Sequence, residues 1–95
     1  MLILISQAPA LKHACDIALT TLVFGGQAEI VLWPQAQRAL LTSPALCQQL
    51  QEFGISALHC LNAARQHRKQ QLDFLPLSET ELSRMIDSSA QVLSF

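Results

Sequence analysis

Charge is scarce in this sequence: charged residues make up 14% of its 95 positions, against about 25% in an average soluble protein. With 51% apolar residues, that composition excludes an intrinsically disordered chain. It also leaves few polar side chains to cover a small monomer, which points to a subunit contact. The net charge of −1 argues against a polybasic surface for nucleic acid or membrane, so direct nucleic-acid binding is not expected. Long apolar runs are missing too. No window approaches the ~18–20 residues of a membrane span, and the opening Met1-Leu2-Ile3-Leu4-Ile5-Ser6 has neither the basic flank nor the length of a secretory signal. Cysteine is limited to Cys15, Cys47 and Cys60. Their odd number and wide spacing, with no Cys-x-x-Cys, disfavour a disulfide framework and a thiolate zinc site. The expectation is a soluble cytoplasmic protein with free thiols.

Local signatures of cofactors are also absent. Gly25-Gly26 follows a helical stretch instead of a strand, so it reads as a helix cap and not as a phosphate cradle. His13, His59 and His67 are scattered, with no carboxylate or thiol at metal-ligand spacing. Nothing marks a flavin site. No cofactor and no metal are therefore expected.

What is present is an alternation of periods. Residues 2–5 form a short apolar run that reads as a buried strand. Residues 10–24 switch to helical spacing, with Leu11, Ala14, Cys15, Ala18 and Leu22 on one face and Lys12, Asp16 and Thr20 opposite. A second strand spans 28–33 and is closed by Pro34, and residues 34–41 fit either a short helix or an exposed loop. Ser43-Pro44 predicts a helix start with a capping hydroxyl; Leu46, Leu50 and Phe53 then form its apolar stripe, and Gly54 ends it. Residues 55–59 read as a third strand running into a helix over 61–70, and 72–75 as a short fourth strand before Pro76. Ser78-Glu79-Thr80-Glu81 is a capping box opening a helix that packs Leu82, Met85 and Ile86. Residues 90–95 close the sheet. This pattern predicts one α/β domain over residues 1–95: three layers around a mostly parallel five-stranded sheet, flavodoxin-like in order 2-1-3-4-5.

In such a sheet the ligand crevice lies where the strand order reverses, at the carboxyl ends of the strands. That places it between the loop after the first strand (Ser6, Gln7, Ala8) and Cys60, which ends the third strand and begins a helix. Helix-terminal amides lower a thiol's pKa, and the thiolate is the nucleophile. Cys60 is thus the candidate catalytic residue, flanked by His59 and Asn62, with alternation turning His59 the other way. Free cysteine also fills cores, and Cys15 and Cys47 read as packing residues on apolar helix faces. The basic run Arg65-Gln66-His67-Arg68-Lys69 reads as a solvated helix flank or a contact for an acidic partner or RNA. Trp33 beside Pro34 is either a core lid or an interface anchor. A response-regulator receiver would need clustered acids after the first strand, where this chain has Ser6-Gln7.

The stretch Phe53-Gly54-Ile55-Ser56-Ala57-Leu58-His59-Cys60-Leu61-Asn62-Ala63-Ala64-Arg65 resembles the cysteine motif of the DsrE/DsrF/DsrH superfamily of sulfur-relay proteins, in its DsrE/TusD branch. The ending Asp87-Ser88-Ser89-Ala90-Gln91-Val92-Leu93-Ser94-Phe95 is similar to the family's last strand, and the start, with Ala8-Pro9 before a long helix, to the DsrF/TusC branch. The resemblance implies an α/β domain assembled into homo- or hetero-oligomers, as trimers or hexamers. It implies that Cys60 carries persulfide sulfur from a donor protein to a partner thiol, in tRNA thiolation or sulfur oxidation. The DsrF/TusC branch works without an active cysteine, so the alternative it implies is a non-catalytic assembly subunit.

Overall fold

The computed structural model describes residues 1–55, 57–61, 67–69 and 72–95. Strand β1 (Leu2–Ile5) has all four side chains buried. Successive side chains point to opposite faces of a sheet, so this strand is covered on both sides. A 3-10 turn (Ala8–Ala10) leads into α1 (Leu11–Val23), which buries Leu11, Ala14, Cys15, Ala18 and Leu19. Gly25, at φ 83°, caps it: the amide of Gly26 donates to the Thr21 carbonyl at 2.9 Å and that of Gly25 to Leu22 at 3.0 Å, a left-handed stop that glycine adopts without steric cost.

Strand β2 (Glu29–Leu32) is followed at once by α2 (Pro34–Leu41) and α3 (Pro44–Glu52). The stretch that fitted either helix or loop is therefore a helix, with proline in its first turn and Ala36 and Leu40 buried four residues apart on one face. The Ser43 hydroxyl makes no capping bond to α3, contrary to expectation. Strand β3 (Ala57–Leu61), β4 (His67–Lys69), β5 (Leu72–Leu77), α4 (Glu79–Ser88) and β6 (Val92–Ser94) complete the chain. At α4 the capping box is made in full: Ser78 Oγ accepts from the Glu81 amide at 3.1 Å, and the Ser78 amide donates to Glu81 Oε1 at 3.2 Å.

All described strands join one sheet in the order β4-β5-β3-β2-β1-β6. Five are parallel, and only β4 runs antiparallel, against β5. The α/β class and the mostly parallel sheet are as expected, but the order 2-1-3-4-5 is not. The second strand stands between the first and third, and the last strand lies on the far side of the first. Handedness gives the reason. Crossovers between parallel strands are right-handed, so helices on one face carry the chain steadily in one direction. Helices α1, α2 and α3 share a single core with Ile3, Ile5, Ile30, Leu32, Leu58, Cys60 and Phe74. The chain therefore steps from β1 to β2 to β3 without reversing. Helix α4 lies on the opposite face, where Leu82 packs with Leu2, Leu4, Val31, Leu61 and Leu77, and it returns the chain past β1 to β6. The three layers are thus α1–α3, the sheet and α4.

The expected helix over 61–70 is corrected at both ends. Leu61 is the last residue of β3, paired with Leu77, and residues 67–69 pair antiparallel with β5 from His67↔Phe74 to Lys69↔Leu72. Beyond Ala64 the sequence offers no apolar stripe for a helix to bury, whereas β5 offers an open edge. Residues 62–66 lie outside the described residues, and with them Asn62, Ala63, Ala64 and Arg65 of the quoted motif and Gln66 of the basic run. Ser56 of the motif lies outside them too. Strand β5 is longer than expected and includes Pro76, which the described pairs of β4, ending at Phe74, do not reach. Proline is tolerated in such edge positions.

Candidate functional site

Strand β3 begins two residues later than the sequence suggests. The amide of Ile55 is still bonded to the Leu50 carbonyl at 3.0 Å, and Gly54 stands at φ 87°, so both belong to the stop of α3. The shift carries Cys60 from the end of a strand into its interior, in register with Leu32 on one side and Pro76 on the other. Its side chain is fully buried, in the core beneath α1–α3. Its thiol donates to the Leu58 carbonyl at 4.0 Å, at the limit of a sulfur hydrogen bond.

A thiolate in such a place has lost its water without gaining, among the described residues, a cation or helix terminus that would lower its pKa. Burial pushes the Cys60 thiol up to about 12. At neutral pH the thiol therefore stays protonated, whereas an exposed cysteine is partly ionised. The expectation of an exposed thiol with a lowered pKa at a helix start is not met: the following residue, Leu61, is strand and belongs to the core of the other face.

The other thiols are no more accessible. Cys15 is buried on α1, and burial, then the negative charge of Asp16, push it up to about 12. Cys47 is buried on α3 and donates from Sγ to the Leu40 carbonyl at 3.3 Å. Both are packing residues, as read from the sequence, and all three cysteines share one core.

The remaining candidates do not converge. His59, half-buried, lies in register between Val31 and Leu75, and strand alternation sets it opposite Cys60. Exposed His13 meets the Phe95 ring edge-on, with centroids 5.6 Å apart. Trp33 packs half-buried against the α4-side core, as a lid. Among the described residues, no group of three His, Cys, Asp or Glu side chains could hold a metal ion, and no helix is long and apolar enough to cross a membrane.

The reversal of strand order falls between β1 and β6, and not between β1 and β3. This chain fills that position itself. The Phe95 amide donates to the Leu4 carbonyl at 2.8 Å, and the Phe95 carbonyl accepts from both the amide of Ser6, at 2.8 Å, and its hydroxyl, at 2.9 Å. A groove of about 360 Å³ beside Pro9, Lys12, Ser43 and Leu46 and another of about 330 Å³ beside Leu19, Val23, Phe24 and Phe53 open on the outer surface of α1–α3, and neither has a cysteine in its lining.

The second of these marks what sequence reasoning missed. Phe53, assigned to the buried stripe of α3, is 45% exposed, and Val23 and Phe24 stand out at 61% and 85%. Phe53 follows the last helical residue, Glu52, so the helical phase that buries Leu50 no longer holds for it. The scarcity of charge was the one signal of this apolar surface. No family model matches the chain, and no curated protein matches it in sequence.

Proposed function

We propose that this chain is a non-catalytic assembly subunit of a sulfur-relay oligomer, of the DsrF/TusC-like kind, in which partner subunits carry the sulfur. The observation that carries this reading is the burial of Cys60 within β3, with its thiol held far from ionisation. The resemblance of residues 53–65 and 87–95 to the superfamily supplies the sulfur-relay context, and an exposed apolar surface on a chain with little charge supplies the assembly. Its setting is the cytoplasm, in a trimer or hexamer whose other members meet the persulfide donor and acceptor proteins of tRNA thiolation or sulfur oxidation.

The carrier reading makes the opposite demand on the same atom. Cys60 Sγ, as thiolate, would attack the outer sulfur of a donor persulfide, forming a new S–S bond and releasing the donor thiol. That requires access and ionisation at one sulfur. The test is intact mass after incubation with a cysteine desulfurase and cysteine, run beside Cys60→Ser. The assembly reading expects no added sulfur and no alkylation of the folded chain by iodoacetamide. One reductant-labile sulfur on the wild type alone would overturn it and make Cys60 the carrier.

A further inference from the structure

Helices α1 and α3 cross the same face of the sheet side by side, and the two grooves on their outer surface show how they are aligned. Lys12 and Leu46 share the first groove; Asp16 with Gln49 and Thr20 with Phe53 share the second. Residue numbers thus rise together along the seam, so the helices run parallel with an offset of 33 or 34 positions. Cys15 and Cys47 are 32 positions apart. They therefore stand level to within about two residues, or about 3 Å of helix rise. Each lies one position inward from the seam, beside Asp16 and Leu46, and both belong to the one buried core. Packed helix axes lie about 8–10 Å apart with Cα atoms about 2.3 Å from each axis, so Cα atoms on facing sides approach to about 4–6 Å. A disulfide spans about 4.4–6.8 Å between its Cα atoms. The two sulfurs also sense each other: after burial and Asp16, charge on Cys47 is a further cause that keeps the Cys15 thiol unionised.

We infer that Cys15 and Cys47 are a redox-sensitive pair, which a hydroperoxide converts into a disulfide that staples α1 to α3. In the reduced chain both are packing residues, with Cys47 Sγ donating to the Leu40 carbonyl. Closing the bond exchanges that weak hydrogen bond for a covalent link. Only one thiol need meet the oxidant, during a local opening of its helix, because the other is already beside it. That sulfur attacks the peroxide: an S–O bond forms, the O–O bond breaks and one water leaves. The second thiol then displaces the hydroxyl of the sulfenic acid, so that an S–S bond forms, the S–O bond breaks and a second water leaves. The two thiols lose two electrons and two protons, and one hydrogen peroxide becomes two waters. A reducing compartment keeps such a pair open until an oxidant arrives. Cys60, where burial alone opposes ionisation, is not a member of the pair.

The inference does not depend on the reading of the chain as an assembly subunit. Its test is disulfide mapping of the purified folded chain after hours in millimolar hydrogen peroxide, at a dose that fully oxidises the same chain in urea. Trypsin and glutamyl endopeptidase together cut at Lys12, Glu29, Arg38, Glu52 and Arg65, which puts each cysteine in its own peptide. The expected result is an intact mass lower by about two hydrogens, residues 13–29 linked to residues 39–52, a free Cys60, and full reversal by dithiothreitol. The chain in urea supplies the contrast. There Cys47 and Cys60, 13 positions apart, close the shorter loop and pair in preference to Cys15 and Cys47, so a link from Cys15 to Cys47 reports the fold. A Cys47–Cys60 link in the folded chain, sulfinic acid on unlinked cysteines, or an unchanged mass at that dose would each overturn the pair.

Discussion

At the scale of single residues, the molecule depends on a few side chains that have lost all contact with water. Phe74 is the largest of them, fully buried in β5 beneath α1–α3. Phe74→Ala removes its transfer energy and leaves a cavity that the parallel strand on one side cannot close. The expected loss is about 3–5 kcal/mol, read as a lower midpoint in urea. For a domain of this size that is a large share of the total stability. Cys60 in the neighbouring strand is buried to the same degree, and its size and position in the core account for its presence without any chemistry at sulfur.

At the scale of elements, the legible parts were those whose signals are local. Ser78 and Glu81 satisfy each other's backbone amides as their spacing indicates. Ser78→Ala should therefore cost about 1 kcal/mol, seen as a lower melting temperature with the core unchanged. The strand at residues 2–5, the helix of Ala14, Cys15 and Ala18, and the stops at Gly25 and Gly54 were equally readable, because each rests on side-chain period or on φ at one position. The candidate site was not. It hung on whether Cys60 follows a strand or lies within one, a matter of two residues. The apolar, β-branched Ile55 looks like a strand start, yet its amide belongs to the stop of α3. The region after Leu61 was misread for a similar reason. A stretch rich in Ala, Gln, Arg and Lys has helix propensity, but propensity yields to an available strand edge, and residues 67–69 take the edge of β5.

At the scale of the whole molecule, strand order depends on which face each helix crosses, and no local pattern records that choice. The apolar stripe of α3 is equally good against either face of the sheet. Two of the buried thiols also act at this scale. Cys15 and Cys60 ordinarily titrate near 9, and in the fold both are raised to about 12. A raised thiol pKa stabilises the folded state fully below pH ~9. As pH rises towards ~12 the unfolded chain releases protons that the folded chain keeps, so stability falls by about 1.4 kcal/mol per pH unit for each thiol. The melting temperature should therefore decline steadily from pH ~9 upward, and Cys60→Ala should flatten the decline. An unchanged slope in that variant would mean that its thiol ionises in the folded state as readily as in the unfolded one.

The pairing of β1 with β6 joins segments as far apart as Ser6 and Phe95, 89 positions in sequence. While the chain is being synthesised, β1 can acquire β2 early, but its other edge stays open until residues 92–94 have been made. An interior strand with four buried side chains is thus a bare edge of the growing chain until β6 emerges. Such an edge can pair with any extended segment nearby. Completion of that edge by a short strand distant in sequence is a long-range closure, and a chain in which it has not yet formed would be the form most prone to aggregate.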